Sequence, residues 1–326
     1  NSVCVGQTQI NLLIFTFLFA FYILMFYLYI TIMRKYTLQQ FNTEYSDDNA
    51  CLDKLYKIRF ADLICPKCDS DKEFTRVNDR RSYQCPCCGF QVYPTANTVF
   101  HKSTTPLKVW FHAIFMQTTT RNGVSAKELE RTFDICYKTA LRMSHQIKTL
   151  MADNSDKQLL GICEADECYI GGEMKNKHLS KRNEMKKGRG GVNMQPIFGV
   201  VLRRDGNVRA RVINDVTANT LRPLLSKNVS KDSYVVTDSA TAYTGLKKEF
   251  KKHAVVNHNQ GEYVRGDAHT NTIEGFWSQL KRTIGGTHIQ VTSRHLQKYV
   301  DEVAFRYQHR NNQDNMFNLV LARVAS

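Results

Sequence analysis

The chain has 326 residues, enough to bury a sizeable core and to form two or three domains, which excludes a small scaffold dependent on disulfide staples. Its 45 Lys and Arg against 30 Asp and Glu give a formal charge of +15, an excess that suits nucleic acid or an anionic membrane surface as partner. No internal repeat or low-complexity stretch interrupts it, so solenoid and fibrous architectures are set aside.

From Ile10 to Met33, INLLIFTFLFAFYILMFYLYITIM holds no charged residue and is long enough to cross a bilayer as a helix. It lacks the basic opening of a cleavable signal peptide, and Arg34 and Lys35 follow it directly. An inserted segment would therefore leave everything after Met33 in the cytoplasm. The sequence begins at Asn1 rather than Met, so residues 1–35 also read as translated upstream sequence joined to a soluble protein. The residues support both readings. Residues 36–60 form a polar connector with some helical character.

Over residues 61–95, Cys65 and Cys68 in LICPKCDS and Cys85 and Cys88 in YQCPCCGF make two CxxC pairs with 16 residues between them. That spacing predicts a four-cysteine Zn²⁺ site, two tight turns presenting thiolates to one tetrahedral ion. Short hairpin arms such as SYQCPCCGFQVYP suit a zinc ribbon, too small to fold without its metal. Cys87 is surplus, and Cys4, Cys51, Cys136, Cys163 and Cys168 are scattered and read as small apolar residues.

Residues 103–152 read as helical. STTPLKVWFHAIFMQTTT opens with Ser/Thr capping candidates and Pro106, then places Leu107, Trp110, Phe111, Ile114 and Phe115 at helical spacing. Further on, Ser125 and Glu128 form a capping box for a helix reaching about Phe133, and a turn at Asp134 leads into a second helix through Lys138, Arg142 and His145. This is the layout of a helix-turn-helix, whose second helix enters a major groove, and equally of a hairpin within a helical bundle. The basic run from Lys175 to Arg189, with Lys181, Arg182, Lys186 and Lys187, reads as a solvated loop able to hold phosphates.

Between residues 159 and 312 the texture changes. LLGICEADECYIGG, QPIFGVVLRR, NVRARVIND, DSYVVTDSATAY and KHAVVNHN read as strands, with helical TANTLRPLLSKNV between the third and fourth. This predicts an α/β domain with a mixed sheet. Residues 313–326 are left as a C-terminal tail.

Three carboxylates stand out in this part. Alternation in CEADECYI puts Glu164, Asp166 and Cys168 on one strand face and Cys163, Ala165 and Glu167 on the other. Acids within an apolar strand are costly unless something positive compensates them. Asp238 closes an apolar strand, a position that also suits a turn cap. Glu274 lies in HTNTIEGFWSQLKR, where Ile273, Phe276, Trp277, Leu280 and Ile284 make one apolar helix stripe. With Asn271 three residues before it, Glu274 reads either as part of a capping box or as a metal ligand. Three such oxygen donors converging at a sheet edge suit Mg²⁺ or Mn²⁺ and phosphodiester chemistry.

EADECYIGG, VVTDSATAY and NHNQGEYVRGDAHTNTIEGFWSQLKR, with the zinc ribbon and TPLKVWFHAI upstream, resemble bacterial insertion-sequence DDE-type transposases related to the eukaryotic Merlin elements. The resemblance spans roughly residues 60–312 and implies an RNase H-like catalytic domain with Asp166, Asp238 and Glu274 as its triad. Some relatives have Asn as third member, which makes Asn271 the alternative. It further implies DNA as partner, both element ends and target, and a homo-oligomer that joins two ends. The zinc ribbon and helix-turn-helix, with Lys138 and Arg142, would then recognise the ends. Lys181, Arg182, Lys186, Lys187, Arg189, Lys281 and Arg282 would hold phosphates. Such a protein works in the cytoplasm or nucleoid, or in a eukaryotic nucleus, with a membrane attachment only if residues 10–33 insert. His258 and His269 flank the last motif and suit phosphate positioning or a structural role alike. A catalytically dead DNA-binding derivative, or a membrane-anchored protein of other purpose, are the rival readings.

Overall fold

The structure, a computed structural model, describes residues 36–153, 155–171, 194–256 and 268–324. The chain divides into residues 1–44 and 45–326. The described part of the first unit is one short helix, α1 (Leu38–Glu44), capped by Thr37, whose Oγ1 accepts from Gln40 N at 3.2 Å. The apolar segment from Ile10 to Met33 lies outside the described residues. Among the described residues no helix is long and apolar enough to cross a membrane.

The second unit opens with α2 (Asp48–Phe60), where Asp47 accepts from Ala50 N in a standard N-cap. Most of the polar connector is thus helical, and α2 packs on the ribbon that follows it. Tyr56 stacks on Tyr83 with ring centroids 4.0 Å apart, Tyr83 OH donates to Asp53, and Arg76 donates to Asn49 at 3.0 Å. The ribbon is a three-stranded antiparallel sheet of β1 (Thr75–Arg76), β2 (Tyr83–Gln84) and β3 (Gln91–Val92).

Three helices follow, α3 (Leu107–Thr119), α4 (Ala126–Phe133) and α5 (Tyr137–Leu150). The apolar stripe of α3 is fully buried at Leu107, Trp110, Phe111 and Ile114. Its N-cap residue, Pro106, offers no side-chain bond, and the first-turn N–H of Lys108 donates to Asp48 Oδ1 of α2 at 2.9 Å. Ser103, a capping candidate by sequence, accepts instead from Trp110 Nε1 at 2.9 Å, because a buried indole N–H must be satisfied. Helix α4 starts where the capping box places it, with Ser125 Oγ accepting from Glu128 N, and ends at Asp134 in the left-handed region (φ 50°). Cys136 departs from the sequence reading: it is exposed at the start of α5, its Sγ 3.2 Å from Thr139 Oγ1, whereas Cys51, Cys163 and Cys168 are buried.

The remainder is a mixed α/β layer structure. Strands β4 (Ile162–Ile170), β5 (Gln195–Leu202), β6 (Val208–Val212), β7 (Tyr234–Asp238) and β8 (Lys252–Val256) lie in the order β6-β5-β4-β7-β8. The first three are antiparallel, and β7 and β8 add in parallel to β4. This three-plus-two arrangement is RNase H-like. Helix α6 (Ala218–Asn228) crosses from β6 to β7, as the sequence pattern requires of a parallel connection. One sheet face buries Cys163, Ala165, Phe198, Val200 and Val235 against Leu221 and Leu225 of α6. The other buries Cys168, Ile197, Val201 and Val208 under α7 (Asn271–Thr283) and α8 (Ser293–Gln308), which are joined through a π-helical turn at Ile284–His288. The tail carries a last helix, α9 (Met316–Ala322), whose Phe317 meets Phe111 and Phe115 of α3 edge-on.

Candidate active site and metal centre

The four ribbon cysteines meet. Cys65 Sγ lies 3.5 Å from Cys88 Sγ and Cys68 Sγ 3.7 Å from Cys85 Sγ, and all four sulfurs fall within 4.8 Å of one another. A tetrahedron with metal–sulfur bonds of about 2.3 Å has edges of about 3.8 Å, so the thiols suit a structural Zn²⁺. The two CxxC turns are built alike. Cys65 and Cys85 each accept from the residue after the second cysteine, Asp69 and Gly89, and both of those adopt positive φ (52° and 71°). Cys87 is exposed outside the group, with its sulfur 3.4 Å from Ser70 Oγ.

The acidic site is built on the centre of the sheet. The ladder pairs Glu164 with Val236 and Ala165 with Thr237. One step further, Asp166 and Asp238 are neighbours on adjacent strands, about 4.8 Å apart in the pairing direction. Asp238 also does what a strand-end Asp commonly does, since its Oδ1 accepts from Ala240 N at 3.0 Å and turns the chain. Glu274 is exposed on the first turn of α7. Burial pushes the Asp166 carboxyl up to about 6, and the charges of Asp238 and Glu274 push in the same direction. Glu167, facing the opposite side of β4, is pushed up to about 7 by burial and by Asp166 and Asp238, against the bond it accepts from Tyr243 OH. Negative charge therefore accumulates around Asp166 and Glu167, which disfavours their ionised forms.

The donor chemistry fits a hard divalent ion. The carboxylates do not, however, gather as closely as the thiols: among the described residues the cysteines are the only set of three or more such ligand groups within 4.8 Å of one another.

The sequence left Glu274 between cap and ligand, and the capping work is done by another residue. Helix α7 starts after Thr270, so Asn271 is already its first residue and sits exposed. The first-turn N–H groups of Thr272 and Ile273 donate to Glu164 Oε2 at 2.8 and 3.0 Å, and Thr272 Oγ1 donates to Glu164 Oε1. Glu164 is fully buried and is also held by Arg203 Nε at 2.8 Å, with His269 Nδ1 3.3 Å away. Sequence reasoning placed Glu164 on the correct face but missed this role, because the helix groups it caps lie more than 100 residues downstream. Glu274 instead accepts from Thr270 Oγ1 at 3.0 Å.

Helix α7 runs along β4 in step. Ile273 meets Glu164, Trp277 Nε1 donates to Asp166 Oδ2 at 3.0 Å, and the charge of Lys281 acts on Cys168. Four helix residues rise about 6.0 Å and two strand residues about 6.6 Å, which keeps the pairs aligned over three contacts. Lys281 and Arg282 are both exposed in the last turn, with Lys281 two turns beyond Glu274 on the same face. Lys138 and Arg142 are exposed one turn apart on α5. Lys181, Arg182, Lys186, Lys187, Arg189 and His258 lie outside the described residues.

Acidic groups at the centre of an RNase H-like sheet, with a four-cysteine ribbon earlier in the chain, agree with what the resemblance to DDE-type transposases implies. The chain matches the ISXO2-like transposase domain over residues 158–308 and the transposase zinc-ribbon domain over residues 46–91, a match that takes in α2. It is similar to an uncharacterized protein in transposable element ISH50 of Halobacterium salinarum, at 28% identity over 73% of this chain and 83% of that one. An uncharacterized transposase-like protein of Haemophilus influenzae is 28% identical over 29% of this chain and 76% of its own length. Among solved structures, a simian T-cell lymphotropic virus intasome in complex with PP2A regulatory subunit B56 gamma matches at 12% identity and TM-score 0.27. That match covers 54% of this chain and 63% of the solved chain, less than two thirds of it, and bears on no residue.

Proposed function

We propose that the chain is an active DNA transposase that cuts at the ends of its own element and joins them to target DNA. The single observation that supports this most is the strand register that makes Asp166 and Asp238 neighbours at the β4–β7 junction, where the charges of Asp238 and Glu274 raise the Asp166 carboxyl. Asp166, Asp238 and Glu274 hold Mg²⁺ or Mn²⁺, with Asn271 as the alternative third ligand one turn earlier. Such ions, when bound, activate an attacking hydroxyl and stabilise the leaving oxygen of a phosphodiester. Lys281 and Arg282 hold the scissile strand through its phosphates. Lys138 and Arg142, with the ribbon, dock the element end through the helical hairpin of α4 and α5. The first reaction uses water and frees a 3′-hydroxyl; in the second, that hydroxyl attacks target DNA in the same site. Joining two ends calls for at least two copies of the chain.

The test is cleavage of DNA from the gene's flanks by the full chain, with and without Mg²⁺. Asp238→Asn is expected to reduce cleavage at least 1000-fold, on the order of the loss of one essential catalytic group, while terminal DNA is still bound. A dead derivative that only binds DNA would show no Mg²⁺-dependent cutting in either protein.

A further inference from the structure

Trp277 stands where the apolar core meets the acidic site. It is 5% exposed, packs on Phe276 with ring centroids 4.9 Å apart, and shares a cluster with Cys168, Ile197 and Val201. A core residue needs no N–H at this point, yet the buried indole gives its one donor to Asp166 Oδ2 at 3.0 Å. The strand beside β4 is shaped to let the ring through. Gly199 lies directly opposite Asp166 in the antiparallel ladder, and a Cβ there would come within 2.5 Å of Trp277 Cη2 and 2.7 Å of Cζ2. Gly199 is not in the left-handed region, so its missing side chain serves space and not backbone conformation. An indole, a glycine and an aspartate from three elements thus fix one carboxylate.

We propose that Trp277 is a positioning residue for Asp166: by occupying Oδ2 it presents Oδ1 as the single oxygen for a divalent ion, and so favours Mg²⁺ or Mn²⁺ over Ca²⁺. The physical basis is that small octahedral ions take one oxygen per carboxylate, whereas Ca²⁺ readily takes both. Gly199 is the complementary element, since it admits the ring. The inference rests on the reading of Asp166 as a cation ligand.

The experiment measures Mn²⁺ binding to the full chain by the magnetic resonance signal of free Mn²⁺, followed by competition with Ca²⁺. Wild type is compared with Asp166→Asn, Trp277→Phe and Gly199→Ala. Trp277→Phe keeps an apolar ring and deletes the donor; Gly199→Ala keeps the indole and displaces it. Both are expected to weaken Mn²⁺ binding about 10-fold, in line with removal of a group that orients a metal ligand, and to narrow the preference for Mn²⁺ over Ca²⁺ by a similar factor. Wild-type affinity and preference in both variants would overturn the assignment. Equal Mn²⁺ binding by wild type and Asp166→Asn would instead overturn the underlying reading of Asp166, and the assignment with it. Should Trp277→Phe fail to fold, benzothienyl-alanine at position 277 in a Trp110→Phe background removes only the N–H and gives the same readout.

Discussion

Glu164 shows how one side chain can carry a structural burden that a sequence motif assigns elsewhere. A buried carboxylate is tolerable only when its lone pairs are filled, and four donors from Arg203, Thr272 and Ile273 fill them. The same contacts tie the start of α7 to β4, so the helix that bears Glu274 is fixed to the strand that bears Asp166. Glu164→Ala leaves the guanidinium and two first-turn N–H groups without this acceptor, and a loss of about 3–5 kcal/mol in unfolding free energy is expected from urea titration. A loss below about 1 kcal/mol would mean that water replaces the carboxylate at little cost. None of this was readable locally: CEADECYI shows the face on which Glu164 lies, but a cap delivered from a strand to a distant helix has no sequence spacing.

At the scale of elements, α5, α8 and the π-helical turn share a buried polar cluster. Lys148 Nζ lies 3.0 Å from Glu302 Oε2, and Arg306 donates to Glu302 Oε1 at 2.9 Å, with Lys148 and Glu302 fully buried. His288 Nε2 is 3.9 Å from Glu302, and His145 Nε2 is 3.1 Å from Tyr299 OH. Burial pushes both imidazoles down to about 4, helped for His288 by Lys148 and Arg306 against the pull of Glu302, and for His145 by His295, Lys298 and Lys148. An unfolded histidine takes up its proton near pH 6.5. Protons therefore favour the unfolded chain, and the stability that neutral His288 contributes is present above about pH 6.5 and is lost as pH falls toward about 4. Asp166 and Glu167, held above their ordinary range, act in the opposite sense, so the variant must be compared with wild type at each pH. His288→Gln should narrow the gap between urea midpoints at pH 7 and pH 5; an unchanged gap would show that His288 is not the titrating group. The elements themselves were largely legible. β-Branched and alternating patterns mark the five strands, and the Ser125 box with the Asp134 turn marks α4 and α5. The strand order and the Asp166–Asp238 adjacency were not, because register is set by pairing between segments 72 residues apart.

Across the whole molecule, the ribbon is bound to its neighbours through α2 and depends on its thiols for shape. Its strands are two residues long and supply little core of their own. Removing zinc with a strong chelator should unfold residues around the two CxxC turns and abolish binding to element ends. The five-stranded sheet should keep its hydrogen-exchange protection. Simultaneous loss of protection in β4 and β5 would show that the two regions fold as one cooperative unit.

The matched advance of α7 and β4 has an evolutionary corollary. Each helix residue turns the chain by about 100°, so losing a single residue between Ile273 and Lys281 would rotate everything beyond it away from the strand. Point changes at exposed positions of this helix other than Glu274, Lys281 and Arg282 can accumulate, but its length cannot drift, and natural variation in the size of such proteins is steered into the loops around it.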